Sequence, residues 1–122
     1  MSTTSPPGQA WVYLDIARAV EQVGTMETLR SMLPMLQELL ERDLPQIERF
    51  LADGDVRSAN PLLHSLKGCM PIFCAPALCE HLAQVEQLSK AGGSVEVGGA
   101  YAQLSPKLQV LQHEVALYLS QS

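Results

Sequence analysis

Three histidines and three cysteines carry the nucleophilic and metal-ligating options of this chain, and their settings differ. His81 lies between the apolar Leu78 and Leu82. His113 falls on the outer side of the last periodic segment. Both read as structural or solvated groups. Cys69, Cys74 and Cys79 are five apart, without the short C-x-x-C pair of a zinc or redox site, and read as small hydrophobes. His64 stands out. It follows the apolar Leu63 and precedes the apolar Leu66, and Arg57, Asn60, Pro61, Lys67, Gly68 and Pro71 share its helical face. Side chains three and four apart are neighbours on a helix, so His64 has a cation one turn along and a missing side chain beside it. An exposed imidazole can attack phosphorus through Nε2, and a nearby ammonium can offset phosphoryl charge. Glycine in mid-helix costs about 1 kcal/mol relative to alanine, which is easier to understand if another molecule approaches there. The plainer alternative is a surface histidine beside a surface lysine. No phosphate-cradling glycine loop or acid–base pair accompanies His64, so a reactive group here would borrow the rest of its active site from a protein partner.

The elements that must position this face read as helices. Apolar residues recur near a period of 3.6 over most of the chain, and strand-like runs are absent. A short first helix is expected over residues 13–22, with Leu14, Ala17 and the Val20–Glu21 step turned inward, and Gly24 stopping it. A long second helix is expected from 25 or 26 to 52, with Thr25 as N-cap, bent at Pro34 and Pro45. The third starts near Asp55 and buries Ala59, Leu63, Leu66, Met70 and Phe73. Pro61 would also suit a later start, at Ser58 or Asn60. The fourth spans 76–90 and buries Leu78, Leu82, Val85 and Leu88 or Ser89. The fifth lies between 94 and 120, with Leu104, Leu108, Leu111, Val115, Tyr118 and Leu119 inward. A second start at Ser105 and Pro106 is open to it. Four amphipathic helices on short loops bury their stripes best as an all-α antiparallel four-helix bundle, capped by the short N-terminal helix. One domain is expected over 11–121, behind a disordered lead-in over 1–10 that Trp11 ends by docking.

Composition narrows the function classes. The chain has 122 residues and a formal net charge of −5, which argues against nucleic acid as main partner, since phosphate binding needs a basic footprint. No apolar run approaches a bilayer span, and residues 1–10 lack the marks of a signal peptide, so no membrane insertion and a cytoplasmic setting with reduced thiols are expected.

His64, Ser65, Leu66, Lys67 and Gly68 match the pattern His-x-Leu-Lys-Gly. Phe73 stands at the hydrophobic place before the turn, and Leu78, Leu82, Val85 and Glu86 stand at fourth-helix spacing. Gly54 and Asp55 precede the histidine at the usual distance, and Val23, Gly24 and the leucines after them resemble a second-helix opening. On these residues the chain resembles a histidine-containing phosphotransfer (HPt) domain of bacterial two-component phosphorelays, in register over residues 14–86, with the last helix matched by pattern alone.

The resemblance implies His64 as phosphoacceptor, Lys67 as electrostatic support and Gly68 as the place where a receiver domain docks closely. Arg57, Asn60, Pro61 and Pro71 complete the expected partner-binding face. It implies a phosphoryl carrier, without kinase or ATP site, that takes the group from the aspartyl-phosphate of one response-regulator receiver and passes it to another. That receiver can belong to a hybrid sensor histidine kinase. No cofactor is expected in this chain; magnesium is expected in the receiver. The chain would act as a monomer, free or as the C-terminal module of a membrane-bound hybrid kinase. The alternative is a helical interaction module that binds a receiver or another helical partner without carrying phosphate. The family usually has glycine at Cys74 and rarely proline at Pro71; both departures predict a shifted or shortened end to the third helix.

Overall fold

The computed structural model describes residues 11–121; the lead-in expected over 1–10 lies outside them. The helices are α1 (Ile16–Val23), α2 (Met26–Ala52), α3 (Val56–Cys69), α4 (Pro76–Ser89) and α5 (Ser94–Ser120). α3 packs against α2 and α4, and α5 closes the ring against the same two helices. Short loops join the four in sequence, so neighbours run antiparallel and the bundle is the expected one. α1 lies against α2 and the turn after α3.

Local chemistry sets the boundaries. Asp15, Thr25 and Asp55 each accept a hydrogen bond from the amide three residues on, as N-caps do. Gly24 and Gly54 sit at φ of 102° and 76°, in the left-handed region glycine enters freely, and turn the chain into α2 and α3. α2 continues through Pro34 and Pro45, and α3 through Pro61. All three prolines are exposed, so water can reach the carbonyls left without an amide. Of the two starts open to α3, the one at Asp55 is realised. α5 is one helix, and the alternative start at Ser105 is not used.

The end of α3 is shortened. After Cys69 the chain tightens into a single 3-10 turn, Met70–Ile72, with Pro71 inside it. Pro71 has no amide to give the Lys67 carbonyl, so the α-helical ladder cannot run on. Met70, Phe73 and Cys74 are buried there, and Pro76 opens α4 at its first turn.

Two corrections concern the N-terminal cap. α1 starts at Ile16 and not at residue 13. The residues before it are extended, because their backbone groups are engaged elsewhere. Asp15 N donates to Phe73 O and Ala75 N donates to Tyr13 O, both at 2.8 Å, around an isolated bridge between Leu14 and Cys74. The amides of Val12, Tyr13 and Leu14 donate to the Glu114 carboxylate of α5 at 2.5, 2.9 and 2.9 Å. Ala19, not Ala17, is the buried alanine of α1. Starting the helix three residues later leaves its core-facing side to Ala19. Trp11 docks on the body as expected, its ring 6.1 Å from that of Tyr118 and close to perpendicular to it.

The core is a leucine-rich column. Leu29, Leu33, Leu36, Leu40 and Ile47 of α2 meet Leu63 and Leu66 of α3, Leu78 and Leu82 of α4, and Leu104, Leu108 and Leu111 of α5. Truncating any of these leucines to alanine costs roughly 2–5 kcal/mol. This fixes the rotation of α3: with Ala59, Leu63, Leu66 and Met70 inward, His64 and Gly68 must face out.

Candidate functional site

His64 projects from the middle of α3 with its side chain 67% exposed. One edge of the ring leans on α4: Nδ1 lies 3.5 Å from Glu86 Oε2. That distance is long for a hydrogen bond, but a carboxylate oxygen beside Nδ1 favours a proton on that nitrogen and so leaves the ring's lone pair on Nε2.

Glu86 organises the rest. Its side chain is closed to solvent, yet four side chains converge on its two oxygens. Lys67 Nζ donates to Oε1 at 3.2 Å. Around Oε2 lie His64 Nδ1, Lys90 Nζ at 3.6 Å and Asn60 Nδ2 at 3.4 Å. Asn60 also donates to Ser89 Oγ at 2.7 Å, and Ser89 donates to the Glu86 carbonyl at 2.6 Å. Burial alone would raise the Glu86 carboxyl. The hydrogen bond and charge of Lys67, then Lys90 and His64, outweigh it and hold the carboxyl below the usual range. The buried group is therefore an anion between two cations.

The other singled-out residues fall as follows. Arg57, Pro61 and Gly68 are exposed beside His64. A Cβ at Gly68 would meet nothing within 4 Å, so internal packing does not demand glycine there. Asn60, expected on the docking face, is half-buried with its amide turned to α4. Pro71 is half-buried in the 3-10 turn, and its carbonyl accepts from Arg18 Nε at 3.3 Å. Lys67 lies one turn from His64 as expected, but as half of an ion pair and not as a free cation.

Sequence reasoning placed Glu86 only by its spacing and gave it no role; it did not mark Lys90. A signal was present: an acid at 86, four residues after Leu82, occupies an inward position of an otherwise apolar stripe, and Lys90 follows four residues later. What the sequence did not show is a buried carboxylate 3.5 Å from His64 Nδ1, bracketed by two lysines.

The remaining reactive groups stand apart. His81 Nδ1 is 3.0 Å from Lys107 Nζ, and both burial and that cation lower its pKa. His113 is exposed. The three cysteines are free thiols, and burial raises each of them. Among the described residues no group of three or more His, Cys, Asp or Glu side chains could hold a metal ion, and no helix is long and apolar enough to cross a membrane.

Residues 31–119 match the family model of the Hpt domain. The match takes in α3, α4 and nearly all of α5, the helix supported by pattern alone in the sequence. No curated protein and no solved structure gives a significant match.

Proposed function

The chain belongs to the Hpt domain family, the phosphoryl carriers of phosphorelays, and on that premise we propose that His64 receives the phosphoryl group from a receiver domain's aspartyl-phosphate and returns it to another. The observation that carries this reading is the exposed His64 ring whose Nδ1 edge rests on the buried Glu86 anion. Nε2 attacks phosphorus in line; the P–Nε2 bond forms as the bond from phosphorus to the aspartate oxygen breaks. The Nδ1 proton stays beside Glu86, which steadies the imidazolium character that develops as Nε2 gives up its lone pair. Lys67, one turn along, offsets charge on the phosphoryl oxygens and transfers no proton. The product is a phosphoimidazole of high transfer potential, so the step runs in both directions.

The magnesium ion that holds the phosphoryl oxygens belongs to the receiver in this reading, because the one carboxylate beside His64 is already bracketed by lysines. The docking surface is α3 with part of α2. His64, Pro61 and Gly68 form its middle, and on the α2 side a groove of about 210 Å³ runs past Met35, Leu39 and Cys69, with Glu38 and Arg42 also lining it. Close docking that excludes water from such a surface strengthens every charge interaction at the transferring group.

The test is acid-labile label arriving from phosphorylated receiver domains. Unmutated protein takes the label, His64→Gln takes none, and Lys67→Ala takes it about tenfold more slowly. Label on His81, His113 or a cysteine would overturn the assignment. Tight receiver binding with no label at all would make the chain an interaction module.

A further inference from the structure

The face around His64 is not symmetric. Toward α2 the floor is apolar, with Met35 and Leu39, and its two charged side chains, Glu38 and Arg42, are of opposite sign. Toward α4 it is cationic: a groove of about 380 Å³ lies between the start of α3 and the end of α4, lined by Arg57, Asn60, Ser89 and Lys90. Lys67 stands at the near side of the same edge, bound to Glu86 as Lys90 is. Three of the eight Lys and Arg residues of an acidic chain thus gather on one side of one histidine. The single acid among them, Glu86, is fully buried and already shared by both lysines. The guanidinium of Arg57 is exposed, and its electrostatic neighbour is the N-cap Asp55 on its own helix. That carboxylate is engaged by Ser58 N. What the groove presents outward is therefore positive charge with hydrogen-bond donors.

We propose that the groove formed by Arg57 and Lys90 receives an acidic side chain or loop of the docking receiver domain, and so fixes which way round the receiver sits over His64. The proposal rests on the carrier reading above. A receiver approaching α3 meets a charge-balanced strip with an apolar floor on the α2 side and a cationic groove on the α4 side. Only one orientation places apolar surface on the first and carboxylates on the second. Turning the partner round would bring carboxylates to Met35, Leu39 and Glu38, where the one cation, Arg42, is already paired with Asp43, and leave the α4 cations facing apolar surface, which is the repulsive half of specificity. Arginine suits the position because its planar fork pairs a carboxylate through two parallel bonds. The charge contribution should act on the encounter rate and weaken with salt.

The experiment uses the full chain and a phosphorylated receiver that labels it, with transfer rates read at low and high ionic strength. Arg57→Glu reverses the groove's exposed charge. Arg30→Glu makes the same change in net charge at the other end of α2, about 30 Å along the helix from the turn into α3. We expect Arg57→Glu to slow transfer about tenfold at low salt and only about twofold at 0.5 M salt, with Arg30→Glu within twofold of the unmutated chain throughout. A lysine at the matching acidic position of the receiver should restore the Arg57→Glu rate. Equal slowing by the two variants would reduce the effect to net charge and overturn the proposal. So would an Arg57→Glu loss that salt does not diminish. Failure of the unmutated chain to take label from any receiver would instead overturn the carrier reading itself.

Discussion

Two glutamates of this bundle occupy inward positions where leucine or valine would be ordinary, and they solve the same problem in opposite ways. Glu114 of α5 is 6% exposed and is satisfied by three backbone amides, those of Val12, Tyr13 and Leu14. Glu86 of α4 is closed to solvent and is held by side chains alone, two of them lysines and one the ring of His64. Backbone amides cannot leave one by one without unravelling the chain that carries them, so Glu114 is released only when residues 12–14 come away together. Lysine and histidine side chains can turn, so the contacts of Glu86 can rearrange with the backbone in place, as the proposed transfer at Nε2 would require. A buried acid is in both cases tolerated only because its partners are supplied. The nature of the partners separates a fastening from a working part.

The strongest way to break this contrast is Glu114→Ala. Three amides lose their acceptor together, and the variant should lose about 3 kcal/mol of stability by denaturant titration, with transfer per folded molecule unchanged. A large fall in transfer by fully folded Glu114→Ala protein would erase the division. Next in size is Gly68→Gln, which changes neither carboxylate but occupies the exposed side of the Glu86 site. The space about Gly68 is open, so the fold should be kept or slightly strengthened, while receiver titration shows affinity reduced at least thirtyfold.

Glu86→Gln should have the reverse profile of the Glu114 variant. Transfer falls about tenfold, while stability shifts by less than about 1 kcal/mol, since the amide still fills the site and Lys67 and Lys90 can turn to water. The nitrogen shifts of the His64 ring should move toward the Nε2-protonated tautomer; an unchanged ring would detach Glu86 from the reaction. The smallest effect is the acid dependence of stability. A carboxyl held below its unfolded value of about 4.3 contributes stability that is fully present above that pH and is lost as pH falls through the folded value. The unmutated chain should therefore lose more stability than Glu86→Gln on descending from pH 5 to pH 3. Parallel curves would show that Glu86 is not held as an anion.

Much of this was legible in the sequence, for identifiable reasons. The stripe of Ala59, Leu63, Leu66, Met70 and Phe73 rotates α3 so that His64 faces out, and periodicity alone reports that. Thr25, Asp55 and Gly24 mark helix ends by side-chain and backbone chemistry that acts locally. The missing amide of Pro71 foretold the early end of α3. What stayed hidden depends on partners far along the chain. Glu86 and Glu114 make sense only once residues 19 to 26 positions away, or about 100, are brought to them. Tyr13 and Leu14 read as helix because nothing nearby shows that Phe73, Ala75 and Glu114 will hold their backbone extended. Asn60 shares a helical face with His64, and its turn toward Ser89 follows from where α4 lies.

The hydrogen bonds to Glu114 join positions 100 to 102 residues apart. Closing a loop of that length is entropically costly, so these contacts form after the local helix pairs have assembled. By the same measure they are an early point of opening, because water reaches residues 11–13 without disturbing the leucine column. The strap that opens there is hydrogen-bonded to Phe73 and Ala75. A displacement of residues 13–15 would thus pass through these hydrogen bonds to the turn that ends the histidine-bearing helix.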